Sequence, residues 1–134
     1  MKTNGSIRIL SFDPGELTGI SFIRDGVFVW GMTITAEPLV NESIFPSLVK
    51  MTQPTHIIIE YPPDATRFKN EDQIAVYQAT DKWFRVAGLK PKNITPGQWK
   101  HLVKRSKISA EHVKDATDMG MWFYKWILNN EHNS

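Results

Sequence analysis

The chain contains no cysteine among its 134 residues, which excludes a disulfide framework and any thiolate metal site. It also lacks any apolar run near the roughly 18 residues of a membrane span. The opening MKTNGSIRILSF has neither a long apolar segment nor a small-residue cleavage site, so no signal peptide is expected. These absences fit a reducing cytoplasm, that of a host cell if the source is viral. No internal repeat or low-complexity linker interrupts the sequence. With 41% hydrophobic and 22% charged residues, the composition is that of one ordinary globular domain spanning 1–134.

Acids are missing from one stretch as well. Residues 90–107 carry Lys90, Lys92, Lys100, His101, Lys104, Arg105 and Lys107 with no Asp or Glu, although the formal net charge is only +2. A basic segment of this kind is either a solvated helix face or a surface for a polyanion such as nucleic acid.

What is present reads as alternating strands and helices. Ile7 to Phe12 is an apolar run predicted as a strand, and Thr18 to Ile23 a second one. Asp25-Gly26 is a strong type I′ hairpin signal leading into a third strand, Val27 to Ile34. Leu39 to Met51 is predicted as a helix that Pro46 caps or kinks. Thr55 to Glu60 contains three consecutive isoleucines, as a strand covered on both faces requires. A helix follows over Glu71 to Ala87, stopped by Gly88, then a short strand over Lys92 to Thr95. Thr95 caps a helix with Pro96 at its first position, predicted to reach Val103. Ser109 caps the last helix, stapled by Ile108 and Val113 and predicted to reach Leu128 before a frayed tail. This order predicts an α/β domain. Its mixed five-stranded sheet joins an antiparallel three-strand meander to parallel strands, with flanking helices.

Four carboxylates stand out against that framework: Asp13 in SFDPGELTG, Glu60 in HIIIEYPP, and Asp115 with Asp118 in KDATDMG. The first two end apolar strands. The last two, three positions apart, share a helix face. Each acid has a modest reading of its own, as a turn former, a solvated strand end or a solvated helix face. Buried acids are costly without a compensating positive group. A fourth strand placed parallel to the first, about 4.8 Å away, would let Asp13 and Glu60 share a cation. Carboxylates in this arrangement suit Mg²⁺, which takes hard oxygen ligands. Two-metal phosphodiester chemistry holds its ions about 3.5–4 Å apart.

These motifs resemble the RuvC-type Holliday junction resolvases of the RNase H-like superfamily, in a compact form that would suit a bacteriophage-type or otherwise divergent branch. ILSFDPGELTGISF is similar to the family's first motif, IIIEYPP to the strand ending in its second acid, and KDATDMGMW to its final acidic helix. FKNEDQIAVYQATD resembles the helix that follows the second acid, and TPGQWKHLV the segment bearing a DNA-contacting lysine, here Lys100. SAEHV is similar to a family segment S-A-E-K, so His112 occupies the place of a second lysine and Lys107 could substitute for it. The resemblance covers most of the chain. The segment between SAEHV and DATD is almost absent, however, so Asp115 and Asp118 must reach the site without the family's lead-in.

The resemblance implies an RNase H-like fold and a homodimer that binds four-way or branched DNA. It implies catalysis by Asp13, Glu60, Asp115 and Asp118 as ligands of two Mg²⁺ ions per site, with Mn²⁺ as a substitute. Paired symmetric nicks would leave 5′-phosphate and 3′-hydroxyl ends. Lys100, Lys104, Lys107 and His112 would contact DNA. Phe68 between Arg67 and Lys69 would wedge the junction centre, with Tyr61 as the next candidate. Two other readings stay open: an RNase H-like nuclease of flaps, forks or structured RNA, and a domain of another class. The latter is a non-catalytic branched-DNA binder or an actin-like nucleotide-binding domain. The actin-like version needs a second glycine-rich loop after the fourth strand, which EYPPDAT does not supply. His56 reads as structural, Glu16 as exposed, and Trp99, Trp122 and Trp126 as core or interface.

Overall fold

The computed structural model describes residues 5–61, 71–100, 102 and 111–132. Three strands come first: β1 (Arg8–Asp13), β2 (Leu17–Arg24) and β3 (Val27–Thr35). Two short helices follow, α1 (Glu37–Val40) and α2 (Phe45–Thr52), then β4 (His56–Glu60). The second half holds α3 (Glu71–Val86), β5 (Lys92–Ile94), α4 (Pro96–Trp99) and α5 (Glu111–His132). No helix among the described residues is long and apolar enough to cross a membrane.

The five strands form one sheet in the order β3-β2-β1-β4-β5. β1–β2 and β2–β3 are antiparallel, while β1–β4 and β4–β5 are parallel. The predicted mixed sheet is therefore the observed one, with the fourth strand beside the first. Asp25 and Gly26 take φ of 52° and 81°, the positive pair that a type I′ hairpin needs.

Side-chain alternation divides the core in two. Leu10, Phe12, Ile57 and Ile59 point to the face covered by α1, α2 and α3, where Leu39, Phe45, Leu48, Val76 and Phe84 meet them. Ile9 and Ile58 point to the opposite face, with Trp99, Met119, Phe123 and Ile127 of α4 and α5. The isoleucine triplet of β4 thus serves both cores, and each side chain contributes about 1.5–3 kcal/mol by burial. On the second face small polar residues let α5 come close. Ser11 Oγ donates to the Ala116 carbonyl at 2.6 Å, and Ser21 and Thr117 hydroxyls pair at 2.7 Å. A Cβ on Gly19 would overlap the His112 carbonyl oxygen.

Three helix predictions are corrected, and the first is α4, which ends at Trp99 with Lys100 and Leu102 in turns rather than reaching Val103. The helix expected over Leu39–Met51 is broken into α1 and α2. Pro46 lacks an N–H, and inside a continuous helix its ring would meet the Glu42 carbonyl. Glu42 takes φ of 66° instead, and Asn41 Oδ1 receives the Ser43 N–H at 2.9 Å. At the other end, α5 runs past Leu128 to His132 rather than fraying. Within its last turns Asn130 Nδ2 donates to the Trp126 carbonyl at 2.8 Å, one turn back. The stop at Gly88 is as expected: Gly88 N–H reaches Arg85 O at 3.0 Å and Leu89 N–H reaches Phe84 O at 2.9 Å, a Schellman pattern. Ser109 and Ile108 lie outside the described residues.

Candidate active site

Strand pleating aims two acids at one place. Along β1, Ile9 and Ser11 face α5, so Asp13 two residues on faces the same way; along β4, Ile58 does, and so does Glu60. The parallel ladder pairs Phe12 with Ile59, and one further step sets Asp13 beside Glu60. Their side chains share a hydrogen bond, which requires a proton between two groups that are ordinarily anions.

The electrostatics follow from that closeness. Burial holds the Asp13 carboxyl well above its ordinary range near 3.8. The Glu60 charge, the hydrogen bond to Glu60 and then the Asp115 charge act in the same direction, with Lys100 opposing them. Asp115 comes from the first turns of α5, and Lys100 Nζ stands 4.0 Å from its Oδ2. Thus the sheet supplies two acids, α5 a third and the end of α4 a cation. Asp118 lies one turn further along α5 and is 2% exposed. It is not among the charges acting on Asp13. In the conformation described, no group of three or more His, Asp or Glu among the described residues is arranged to enclose an ion.

The donor chemistry nevertheless fits a hard divalent cation. Asp13 and Glu60 offer oxygens only, and the nearby Glu60 charge raises the Asp13 carboxyl. Metal binding to carboxylates displaces protons, so a cation here would offset the repulsion that raises the Asp13 carboxyl. Asp13 and Glu60 would hold one ion, with Asp115 adjacent.

Trp99 was expected only as core or interface. It is fully buried, and its Nε1 donates to Glu60 Oε2 at 3.3 Å. Pairing of β5 with β4 brings Ile94 level with Glu60, and α4 starts at once. Thr95 N–H meets Gln98 Oε1 at 2.8 Å there, the backward half of a capping box. The cap and Pro96 were readable; the indole's proximity to Glu60 depends on the β4–β5 pairing. Gln73 Nε2 reaches the Pro14 carbonyl at 3.3 Å, tying α3 to the loop after Asp13. Thr18 Oγ1 donates to Gly15 O at 3.2 Å within that loop.

The other candidates fall as follows. Lys100 sits at the acids, 44% exposed, with Nζ also 5.9 Å from the Trp99 ring centroid. His112 is half-buried one turn before Asp115, and its backbone packs on Gly19. The Tyr61 ring lies 4.9 Å from that of Tyr77, packed on α3. His56 Nδ1 bonds Thr55 Oγ1 at 2.9 Å and its ring meets Phe123 edge-on, a structural role as expected. Glu16 is exposed, also as expected. Arg67, Phe68, Lys69, Lys104 and Lys107 lie outside the described residues.

The raised Asp13 carboxyl has a consequence for stability. The folded protein keeps a proton that the unfolded chain releases near pH 4, so between that pH and the raised value the folded state binds more protons. Stability from this group is present below about pH 4 and is lost as pH rises through the folded value. With chelator present, melting temperature is expected to fall over that window. Asp13→Asn should remove the fall, and Mg²⁺ should reverse it as metal replaces the proton. Thermal melts at several pH values check this; an identical pH slope in Asp13→Asn would refute it.

The sequence matches no protein-family model and no curated protein. Solved structures do match. "Thermus thermophilus RuvC structure" superposes with a TM-score of 0.71 at 13% identity, covering 92% of this chain and 97% of the other. "T. thermophilus RuvC in complex with Holliday junction substrate" gives 0.69 at 13% identity, covering 90% and 96%. Both matches run over nearly the whole length of the two chains. This chain has the RuvC fold, an RNase H-like α/β architecture.

Proposed function

We propose that this protein is a metal-dependent endonuclease of branched DNA that resolves Holliday junctions by paired nicks. The observation that carries the reading is the shared hydrogen bond of Asp13 and Glu60 at neighbouring parallel strand ends, with Asp115 and Lys100 beside them. The RuvC fold, one example of which is seen with a Holliday junction substrate, supports it. Two half-buried acids forced together and flanked by a lysine suit a phosphodiester better than a neutral substrate.

In this reading Asp13 and Glu60 would hold one Mg²⁺ or Mn²⁺ ion, and Asp115 with Asp118 would hold a second. The bound ions supply Lewis-acid stabilisation of phosphate oxygens and lower the pKa of a water molecule. The chain's own residues supply position. Trp99 orients Glu60 through its indole N–H. Gln73 and Thr18 hold the loop that carries Asp13 from β1 into β2. Lys100 offers a cation to the scissile phosphate and pairs with Asp115 Oδ2 at 4.0 Å. Hydrolysis leaves 5′-phosphate and 3′-hydroxyl ends, and a homodimer supplies the two centres for paired cuts.

The test uses labelled four-way junction, Y-fork and linear duplex with Mg²⁺, Mn²⁺ or EDTA. Symmetric nicks confined to the junction are expected. Equal cutting of Y-forks would instead favour a broader flap or fork nuclease, and no metal-dependent cutting of any substrate would overturn both. Lys100→Ala is expected to leave melting temperature nearly unchanged, since an exposed ion pair is worth only about 0–1 kcal/mol. It should weaken junction binding and reduce the salt slope by about one counterion. An unchanged slope in salt titrations would remove Lys100 from the DNA contact.

A further inference from the structure

β3 closes one edge of the sheet, so its outer N–H and C=O groups face away from β2. Among the described residues, no backbone hydrogen bond outside the β2–β3 ladder engages Val27–Thr35. Proteins usually blunt such an edge with charge or proline, and the nine residues VFVWGMTIT contain neither. A row of open donors and acceptors is matched by one kind of occupant, another extended chain.

Side-chain alternation sets the pattern of that chain. Trp30, Met32 and Ile34 lean on the core under α1, α2 and α3 yet stay half-buried, so this apolar layer is open at the edge. Gly31, which faces Val113 of α5, begins the other row with Thr33 and Thr35, and all three are exposed. An added strand would set apolar residues beside the first row and polar ones beside the second, in steps of two. Past Thr35 the edge opens into a cleft of about 650 Å³. Glu16, Glu37 and Asp72 line it beside the apolar Leu17 and Val40, with no lysine or arginine among the described residues there. The hairpin end has no such excess, since Arg24 and Asp25 are both exposed. A side chain with an aliphatic stem and a cationic tip, lysine or arginine, matches the cleft.

A second copy of this chain does not suit the edge. Antiparallel addition through β3 would send the acidic ends of β1 and β4 to opposite ends of the joined sheet, whereas paired nicks need both centres at one junction. That exclusion alone rests on the nuclease reading. We infer that β3 is a docking edge for an extended segment of a different protein, alternating apolar and polar, whose basic N-terminal end seats in the Glu16–Glu37–Asp72 cleft. Antiparallel pairing is the more stable per residue, and it sets the N-terminal end of the segment at Thr35.

Calorimetry and amide hydrogen exchange on the full chain test it with a synthetic peptide, a lysine pair followed by alternating valine and threonine. Saturable binding is expected, with exchange slowed over Val27–Thr35. Moving the lysine pair to the C-terminal end should weaken binding by about tenfold or more. N-methylation of the peptide amides that face the edge should abolish binding at unchanged charge. Glu37→Lys should weaken the lysine peptide by a similar factor, yet bind a peptide headed by two glutamates more tightly than wild type does. Misfolding cannot mimic that inversion. No saturable binding, or binding indifferent to both N-methylation and lysine position, would overturn the inference. So would protection of β3 that rises with protein concentration in the absence of peptide, the mark of a second copy. Peptide docking on a chain that cuts nothing would uphold the edge while refuting the nuclease reading. Junction nicking by a chain that docks no peptide would refute the edge alone.

Discussion

Asp13→Asn is expected to abolish metal-dependent nicking while leaving the fold intact and four-way junction binding largely preserved. Asp13 is the acid on which the other charges converge: Glu60 and Asp115 raise its carboxyl, and Lys100 alone opposes them. Replacing its carboxylate with an amide removes a charged oxygen ligand without changing shape. Stabilisation of transition-state charge by a bound metal is worth several kcal/mol, so the loss should be on the order of 10³-fold or more. The apo variant should melt higher than wild type near neutral pH, because the buried repulsion is gone. A stability gain with an activity loss marks a functional residue. Single-turnover nicking beside gel-shift binding checks both halves. A variant cutting within tenfold of wild type would remove Asp13 from the reaction.

Gly19→Ala is expected to cost more stability than its one added methyl suggests. Gly19 pairs with Asp13 across β1–β2 and lies directly beneath the His112 carbonyl. The added Cβ would overlap backbone rather than a flexible side chain. The N-terminal end of α5 must then lift from the sheet. Overpacking of this kind costs about 1–3 kcal/mol, occasionally more. Asp115 rides on the same turns of α5, so it would move relative to Asp13 and Glu60. A displacement near 1 Å at a catalytic constellation costs about 10²-fold in rate. Denaturant unfolding and nicking assays should fall together here, unlike in Asp13→Asn. Wild-type stability in Gly19→Ala would show that α5 does not approach β2 so closely.

Much of this arrangement could be read from local pattern. The Asp25-Gly26 turn, the isoleucine triplet of β4, Gly88 and Pro96 each constrain only their neighbours' backbone, and each appears as expected. Pro46 was expected to cap or kink its helix. It does more, because Pro38 and Pro46 each sit in the first turn of a separate short helix. The extension of α5 to His132 was missed because residues 129–132 (NNEH) carry no apolar side chain to mark it.

The site divides the same way. That Asp13 and Glu60 end strands, and that Asp115 and Asp118 share one side of a helix, follows from residue order and from the repeats of pleat and helix. Which acids meet does not. Asp13 and Glu60 touch because β4 pairs with β1 in parallel at one register. Trp99 reaches Glu60 because β5 pairs with β4. Asp115 acts on Asp13 because Gly19, Ser11 and Ser21 let α5 lie close against the sheet. Sequence by itself determined the elements, their faces and the acids at their ends, because those depend on periodicity along the chain. Only the tertiary structure decided the pairing of those acids, the lysine and indole beside them and the uncharged edge at β3. Those are distances through space, set by strand register and by how near one backbone can approach another.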